Sequence, residues 1–338
     1  MNSKRPPTAL IFDWGNTVMT EIDEFNGLDA PMVEWPRVEA IPGIDAALSS
    51  LSAHHRIFVG TNAGQSTASQ VNQALQRVGL DRYFEKIFTY NETHTRKPDV
   101  AFFRAIERMT GEFRTGMVMV GDAYAADITG AKSAGWKAAW YNPQNIPCPG
   151  AMPFHDVEID RMAELPAMLG QPWLPEIPTC LLWLQQHNVS SHLLIHCYLV
   201  ASLAYLLALQ LRSAGIRVNP ILAHRGGLLH DLAKGSHVED MDHGQAAAEM
   251  LRQKGEPALA AIADHHMLFT LLDEKRQPRS WEEKLVYYAD KLVEKGQLVP
   301  VEERLAALQE RYAIDNALLT HRLRRIPPEA PNRCSSWR

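Results

Sequence analysis

The chain has 338 residues, a length that suits two domains of roughly 150 residues each. Lys and Arg total 34 against 39 Asp and Glu, giving a net charge of −5. With no dense basic run this disfavours nucleic acid as the main partner, since phosphate neutralisation needs clustered Lys and Arg, and 46% hydrophobic with 22% charged residues excludes disordered and fibrous classes.

Residues 1–7 are too short and polar for a signal peptide, and a strand begins almost at once. The pattern predicts strands over 9–12, 56–60, 86–89, 117–121 and 138–141, and helices over 44–52, 66–78, 100–110 and 125–134. Short, almost wholly apolar strands alternating with helices predict a doubly wound parallel α/β sheet covered on both faces. Two Pro-rich stretches then break the pattern. Residues 142–154 hold four prolines and 170–178 hold three, which remove backbone donors and disfavour helix. Beyond Pro178 only helical spacing is expected, over 181–186, 191–214, 220–233, 244–254, 258–266, 281–295 and 301–314, with no competing strand. This half reads as all-α, and 326–338 as a loose tail.

The longest nearly apolar run, 199–211, is interrupted by Ser202 and Gln210 and falls short of the ~20 residues of a membrane span. Cys148, Cys180, Cys197 and Cys334 lack CxxC spacing and suit a reducing compartment. The expectation is a cytoplasmic protein with no membrane partner. Its oligomeric state is open.

In doubly wound sheets ligands bind where strands end at their carboxyl edge. Four such positions here carry reactive groups: Asp13 after the first strand, Thr61 after the second, Lys97 before the 100–110 helix, and Asp122 with Asp127 after the 117–121 strand. A carboxylate nucleophile, a hydroxyl, a lysine and further carboxylates are the parts of an aspartyl-phosphate mechanism with Mg²⁺. Taken singly, each residue has an ordinary explanation as a cap, a turn or a solvated lysine; their order carries the inference. The runs IFDWGNT, VGTNAG, RKPDVAFF and VGDAYAADITGAKSAG together resemble the haloacid dehalogenase superfamily of phosphatases. The resemblance implies Asp13 as nucleophile, Thr61 and Lys97 as phosphate contacts, Asp122 as a Mg²⁺ ligand, Asp127 as a further or alternate ligand and the Gly15 carbonyl as a backbone ligand. It also implies a departure: family phosphatases usually carry a second Asp where this chain has Gly15. That Asp supplies acid–base catalysis worth roughly 10²–10⁴ in rate. The short gaps between motifs leave room for only a minimal cap.

In the second half His196 lies in an apolar helix, His230-Asp231 ends another, and Asp290 sits beside two tyrosines. A half-buried carboxylate needs a partner or a metal, and imidazole with carboxylate suits Fe, Mn, Co, Ni or Zn. The order His…His-Asp…Asp centred on LLHDLAKG resembles the HD superfamily of metal-dependent phosphohydrolases. By that resemblance His196, His230, Asp231 and Asp290 are ligands of a first ion and Lys234 is a phosphate contact. His243 and His265 resemble the extra ligands of dinuclear members, with His266 an alternative to His265, so that one or two ions are expected.

The expected organisation is a haloacid dehalogenase-like domain over 1–165, a Pro-containing linker over 166–179 and an HD domain over 180–325. The implied function is a two-site phosphohydrolase acting on a small phosphorylated substrate of nucleotide type. The HD domain cleaves a phosphoester or phosphoanhydride with metal-activated water, and the first domain acts on a phosphomonoester through Asp13 with weakened acid–base catalysis. The alternative is a first domain that serves the second as a non-catalytic phosphate-binding or regulatory scaffold.

Overall fold

The computed structural model describes residues 7–25, 30–63, 66–236, 241–300 and 303. These divide into two compact units, the first reaching to Cys148 and resuming over Pro153–Trp173, the second holding Pro149–Met152 and the residues from Leu174 onward. The expected 301–314 helix (but for residue 303), the 326–338 tail, His237 and Cys334 lie outside the described residues.

The first unit is built on strands β1 (Ala9–Phe12), β2 (Arg56–Gly60), β3 (Lys86–Phe88), β4 (Met117–Gly121), β5 (Lys137–Tyr141) and β6 (Val157–Ile159). All pairs are parallel, in the order β3-β2-β1-β4-β5-β6. Parallel strands are buried on both faces, which is why β1 and β4 are apolar throughout and wholly buried. Helices α1 (Ile44–Leu51), α2 (Ala68–Arg77), α3 (Tyr90–Thr93), α4 (Val100–Thr110), α5 (Gly130–Ser133) and α6 (Leu165–Leu169) accompany the sheet. Thr67 starts α2 with a reciprocal capping box to Gln70, and Asp99 caps α4 through Ala101 N.

Three details depart from the sequence pattern. β6 was not expected, because three residues behind a Pro-rich run leave too little periodicity to read. Leu165–Leu169 is helical, with Leu165 and Leu169 buried in the first core. The expected 125–134 helix opens instead as a wide π-helical turn, Tyr124–Thr129, before α5. Such turns are frequent at functional sites, and this one holds Asp127.

The second unit comprises α7 (Ile177–Gln186), α8 (Ser191–Ser213), α9 (Pro220–Leu229), α10 (His243–Gln253), α11 (Pro257–His265) and α12 (Trp281–Lys291). The expectation of no strand is corrected by a small antiparallel pair, β7 (Val293–Glu294) with β8 (Gln297–Leu298). Lys295 and Gly296 both have positive φ, 49° and 77°, the conformation that a two-residue hairpin turn demands. The helix expected to run to 295 therefore ends at Lys291. Likewise α9 ends at Leu229, four residues before the expected 233, and 230–235 form turns.

The sequence estimate for the apolar run was also too short. α8 has 23 residues and a mean hydropathy of 1.9 in its best window, enough by length and composition to cross a membrane. Isolated polar residues such as Ser202 barely change a window average. In this unit α8 packs against α9 and α12 and carries His196.

Candidate active sites

In the first unit the strand register determines the site. Phe12 pairs with Val59 on one side and Val120 on the other, so the loops after β1, β2 and β4 leave the sheet at one edge. Asp13, Thr61 and Asp122 are thereby brought to one end. Lys97 Nζ is buried between two carboxylates, donating to Asp13 Oδ1 and Asp127 Oδ1 at 2.6 Å each. Its backbone is clasped by Asn62: Lys97 N donates to Asn62 Oδ1 and Asn62 Nδ2 donates to Lys97 O, both at 2.8 Å. Thr61 is buried and its hydroxyl accepts from Ala63 N at 3.0 Å. Thr17 steadies Asp122, donating to Oδ1 and accepting from Asp122 N, both at 3.1 Å.

Ligand atoms of Asp13, Asp122 and Asp127 lie within 4.8 Å of one another, close enough to share a cation. Their electrostatics favour one. Burial and the Asp13 charge raise Asp122 above the ordinary carboxylate range. Burial pushes Asp127 up to about 7 against the opposing pull of Lys97. Clustered carboxylates are the oxygen donor set of Mg²⁺.

At position 15 there is no side chain, and the space is taken by Glu21. A Cβ on Gly15 would lie 2.9 Å from Glu21 Cδ and overlap its Oε1. Partial burial, with the Asp122 and Asp13 charges, raises the Glu21 carboxyl above its usual value.

The second unit gathers its site from α8, α10 and α12, the C-terminal ends of α9 and α11, and the turn that follows α9. The two glycines of GGLLHD make this possible. A Cβ on Gly227 would lie 2.7 Å from Ala201 Cα on α8, and one on Gly226 would lie 2.5 Å from Ile262 Cδ1 on α11. Side chains there would hold α9 away from both neighbours. Close approach brings His230, at the end of α9, to His196 and Asp290.

The carboxylate of Asp231 faces two ways. Oδ2 lies 3.4 Å from His230 Nε2 and 3.8 Å from His196 Nε2, while Oδ1 lies 3.2 Å from His243 Nε2 and 3.5 Å from His266 Nε2. Asp290 Oδ1 is 3.0 Å from His196 Nε2 and 3.7 Å from His230 Nε2. Two imidazoles are oriented by backbone carbonyls: His230 Nδ1 donates to Gly227 O at 2.7 Å and His266 Nδ1 to Ala263 O at 2.6 Å. Those bonds assign the proton to Nδ1 and turn Nε2 to the centre, the arrangement that metal-ligating histidines use.

His230 Nε2 and Asp231 Oδ1 are buried without a hydrogen-bond partner. Orphaned buried polar atoms are costly, and a bound cation would satisfy both. Three overlapping groups have the necessary spacing: His196 with His230 and Asp231, His230 with His266 and Asp290, and Asp231 with His243 and His266. Burial alone would depress His230, yet the Asp231 and Asp290 carboxylates raise it to about 9. Burial depresses His266 to about 4. Asp231 is fully buried and Asp290 largely so, and their cationic and imidazole neighbours hold them well below the ordinary range.

Two family models match the chain: haloacid dehalogenase-like hydrolase over residues 19–141 and HD domain over residues 193–294. The chain is a haloacid dehalogenase-like hydrolase domain joined to an HD domain. The first match begins beyond Asp13 and Gly15 and includes Glu21, Thr61, Lys97, Asp122 and Asp127. Among curated relatives, an uncharacterized protein of Methanocaldococcus jannaschii is 32% identical over 133 residues, which is 36% of this chain and 78% of that protein. The pyrimidine 5'-nucleotidase PynA of Streptococcus pneumoniae is 32% identical over 110 residues, 32% of this chain. The chain spans 45% of the length of that nucleotidase. Among solved structures, a HAD phosphatase from Thermococcus onnurineus is 22% identical with a TM-score of 0.41, covering 49% of this chain and 100% of that one.

Within the HD domain one expectation needs correction. His265 does not face Asp231; its Nδ1 lies 2.8 Å from Glu283 Oε2, and His266 occupies the central position. His265 is the last residue of α11 and His266 follows it, and at this helix end the two side chains point to different neighbours. Lys234 Nζ donates to Asp231 Oδ2 at 2.7 Å with its side chain 41% exposed. Lys291, absent from the sequence reading, is buried and donates to Asp290 and to His266 O. In the haloacid dehalogenase-like domain the sequence reading missed Asn62 and Glu21 as site residues. Asn62 directly follows Thr61 in VGTNAG and so carries a signal; Glu21 carries none, because a loop decides where it lands.

Proposed function

We propose that the chain is a two-site metal-dependent phosphohydrolase for small nucleotides. The HD domain cleaves a nucleotide phosphoester or phosphoanhydride, and the haloacid dehalogenase-like domain hydrolyses a phosphomonoester through Asp13. The observation that carries the reading is Asp231, whose two buried oxygens face separate imidazole pairs. A carboxylate so disposed suits bridging between two ions, with His196, His230 and Asp290 on one side and His243 and His266 on the other. Imidazole and carboxylate donors suit Fe, Mn, Co, Ni or Zn. In the first domain Asp13, Asp122, Asp127 and the Gly15 carbonyl suit Mg²⁺. Such ions acidify water and draw charge from phosphoryl oxygens when bound.

The protein's own groups do the rest. Lys97 holds Asp13 Oδ1 in place for attack on phosphorus. With Thr61 it binds the phosphoryl oxygens and offsets their growing charge. Lys234, half in solvent beside Asp231, is suited to a substrate phosphate in the second site. The name of the pneumococcal relative supports a nucleoside 5'-monophosphate as the substrate class of the first site. A monoester released by the HD domain is the same class, so the two activities can act in sequence. The buried cysteines Cys148, Cys180 and Cys197 form no disulfide among the described residues, which supports a reducing, cytoplasmic setting.

The test is hydrolysis of nucleoside monophosphates, cyclic nucleotides, dinucleoside polyphosphates and a generic phosphodiester by wild type, Asp13→Asn and Asp231→Asn, with Mg²⁺ or Mn²⁺. Separate substrates lost in separate variants support the two-site reading. A second reading is favoured by Gly15, which removes the usual acid–base group: the first domain then binds phosphate without turnover. Mg²⁺-dependent binding of a phosphate analogue with no Asp13-dependent product would support that reading instead.

A further inference from the structure

We propose that Glu21 is the acid–base catalyst of the first site, delivering from the loop the carboxyl that position 15 lacks. This rests on the reading of Asp13 as a phosphomonoesterase nucleophile. Glu21 Oε1 fills the volume into which a side chain on residue 15 would project, with Cδ 2.9 Å and Cγ 3.2 Å from the Cβ position. A carboxyl rooted six residues downstream thus enters the same space.

The loop is shaped to hold it there. Met19 N donates to Trp14 O at 2.8 Å and Asn16 N to Met19 O at 2.7 Å, folding the chain back on itself. Asn16 has φ 51°, in the left-handed region that Asn tolerates better than most residues. Its side chain grips Glu21 at both ends: Asn16 Oδ1 accepts from Glu21 N at 3.0 Å and Nδ2 donates to Glu21 Oε2 at 3.2 Å. Thr20 N donates to Glu39 O at 2.8 Å and anchors the far side of the loop. Among the described residues Glu21 makes no ion pair, so charge pairing does not account for its position. The residue remains solvent-exposed, which leaves its carboxyl open to a leaving alcohol and to water.

The chemistry balances. An Asp13 carboxylate oxygen bonds to phosphorus while the bond from phosphorus to the ester oxygen breaks. The Glu21 carboxyl gives its proton to that oxygen, and the alcohol departs. The resulting Glu21 carboxylate takes a proton from water as the water oxygen bonds to phosphorus. The bond from phosphorus to Asp13 breaks, inorganic phosphate leaves, and both side chains return to their starting states.

The experiment uses the full chain with Mg²⁺, counting only activity abolished by Asp13→Asn. One substrate is p-nitrophenyl phosphate, whose leaving group needs no proton; the other is a nucleoside 5'-monophosphate. Glu21→Gln, which keeps the shape and the Asn16 contact, is expected to lower kcat on the monophosphate by roughly 10²–10⁴. It should retain the nitrophenol burst while slowing later turnover, and Gly15→Asp/Glu21→Ala, in which the volume beside position 15 is vacated for the new carboxyl, should regain part of the lost rate. Wild-type turnover in Glu21→Gln would overturn the proposal, and so would loss of the burst, which signals a structural role. Failure of the double variant to recover rate would also count against it. Absence of any Asp13-dependent turnover in wild type would remove the underlying reading and this proposal together.

Discussion

Asn62 and Lys97, 35 positions apart in the chain, hold each other's polar groups through two hydrogen bonds of 2.8 Å. The clasp joins the loop after β2 to the loop before α4, and so aims Lys97 between Asp13 and Asp127. Asn62→Ala removes both bonds and leaves Lys97 N and O to find other partners. At about 1–3 kcal/mol for polar groups left unsatisfied, urea unfolding should show a loss of that order. If Lys97 binds phosphate, KM for a phosphomonoester rises more than kcat falls. Wild-type stability and KM in this variant would show that the clasp aims nothing.

Lys97→Met should be worse. Asp127 is fully buried and Asp13 nearly so, and both lose their cation. Breaking a buried pair by removing one partner costs about 3–5 kcal/mol. Mg²⁺ should restore part of the stability by taking the vacant charge, a shift that thermal denaturation with and without the ion would reveal.

The two adjacent histidines give a discriminating pair of variants. His266 faces Asp231 Oδ1, whereas His265 is turned to Glu283. His266→Ala should reduce the metal retained per chain by about half under the dinuclear reading, and His265→Ala should leave it unchanged. Asp231→Asn should strip both ions. Elemental analysis after dialysis reads all three, and equal loss in the two histidine variants would oppose the assignment.

pH should distinguish the metal-free from the loaded protein. With its folded value raised to about 9 by Asp231 and Asp290 against an unfolded value near 6.5, His230 stabilises the metal-free fold fully below pH 6.5. That contribution is lost as pH rises through about 9. Chelator-treated protein should therefore show a falling Tm between pH 6.5 and 9. Metal-loaded protein, in which a cation replaces the proton, should not show this component. A flat profile after chelation would place His230 in its neutral form throughout.

Gly227→Ala tests how the helices meet. The added Cβ would fall 2.7 Å from backbone atoms of α8, which cannot move aside like a side-chain tip. Overpacking typically costs about 1–3 kcal/mol, and separating α9 from α8 should also weaken metal retention through His230. Unchanged metal content would show that the site tolerates a wider helix spacing.

Much of this molecule was legible in its one-dimensional pattern, because the relevant physics is local. Strands buried on both faces must be apolar without interruption, so β1 and β4 could be read to the residue, and β2 by the same run behind its exposed first residue, Arg56. Motif order likewise marked which strand ends and helix ends carry reactive groups. Short elements escaped: β6 and the β7–β8 pair contain too few residues to show a period. Other decisions belonged to the tertiary structure alone. Whether His265 or His266 faces Asp231 depends on the rotation of α11 about its axis, which packing determines. Both oxygens of Asp231 meet imidazoles only because Gly226 and Gly227 let three helices close up. Glu21 reaches the empty volume at Gly15 because a loop doubles back around Asn16. No periodicity records that reversal; it follows from hydrogen bonds that form once the loop has a sheet to fold against.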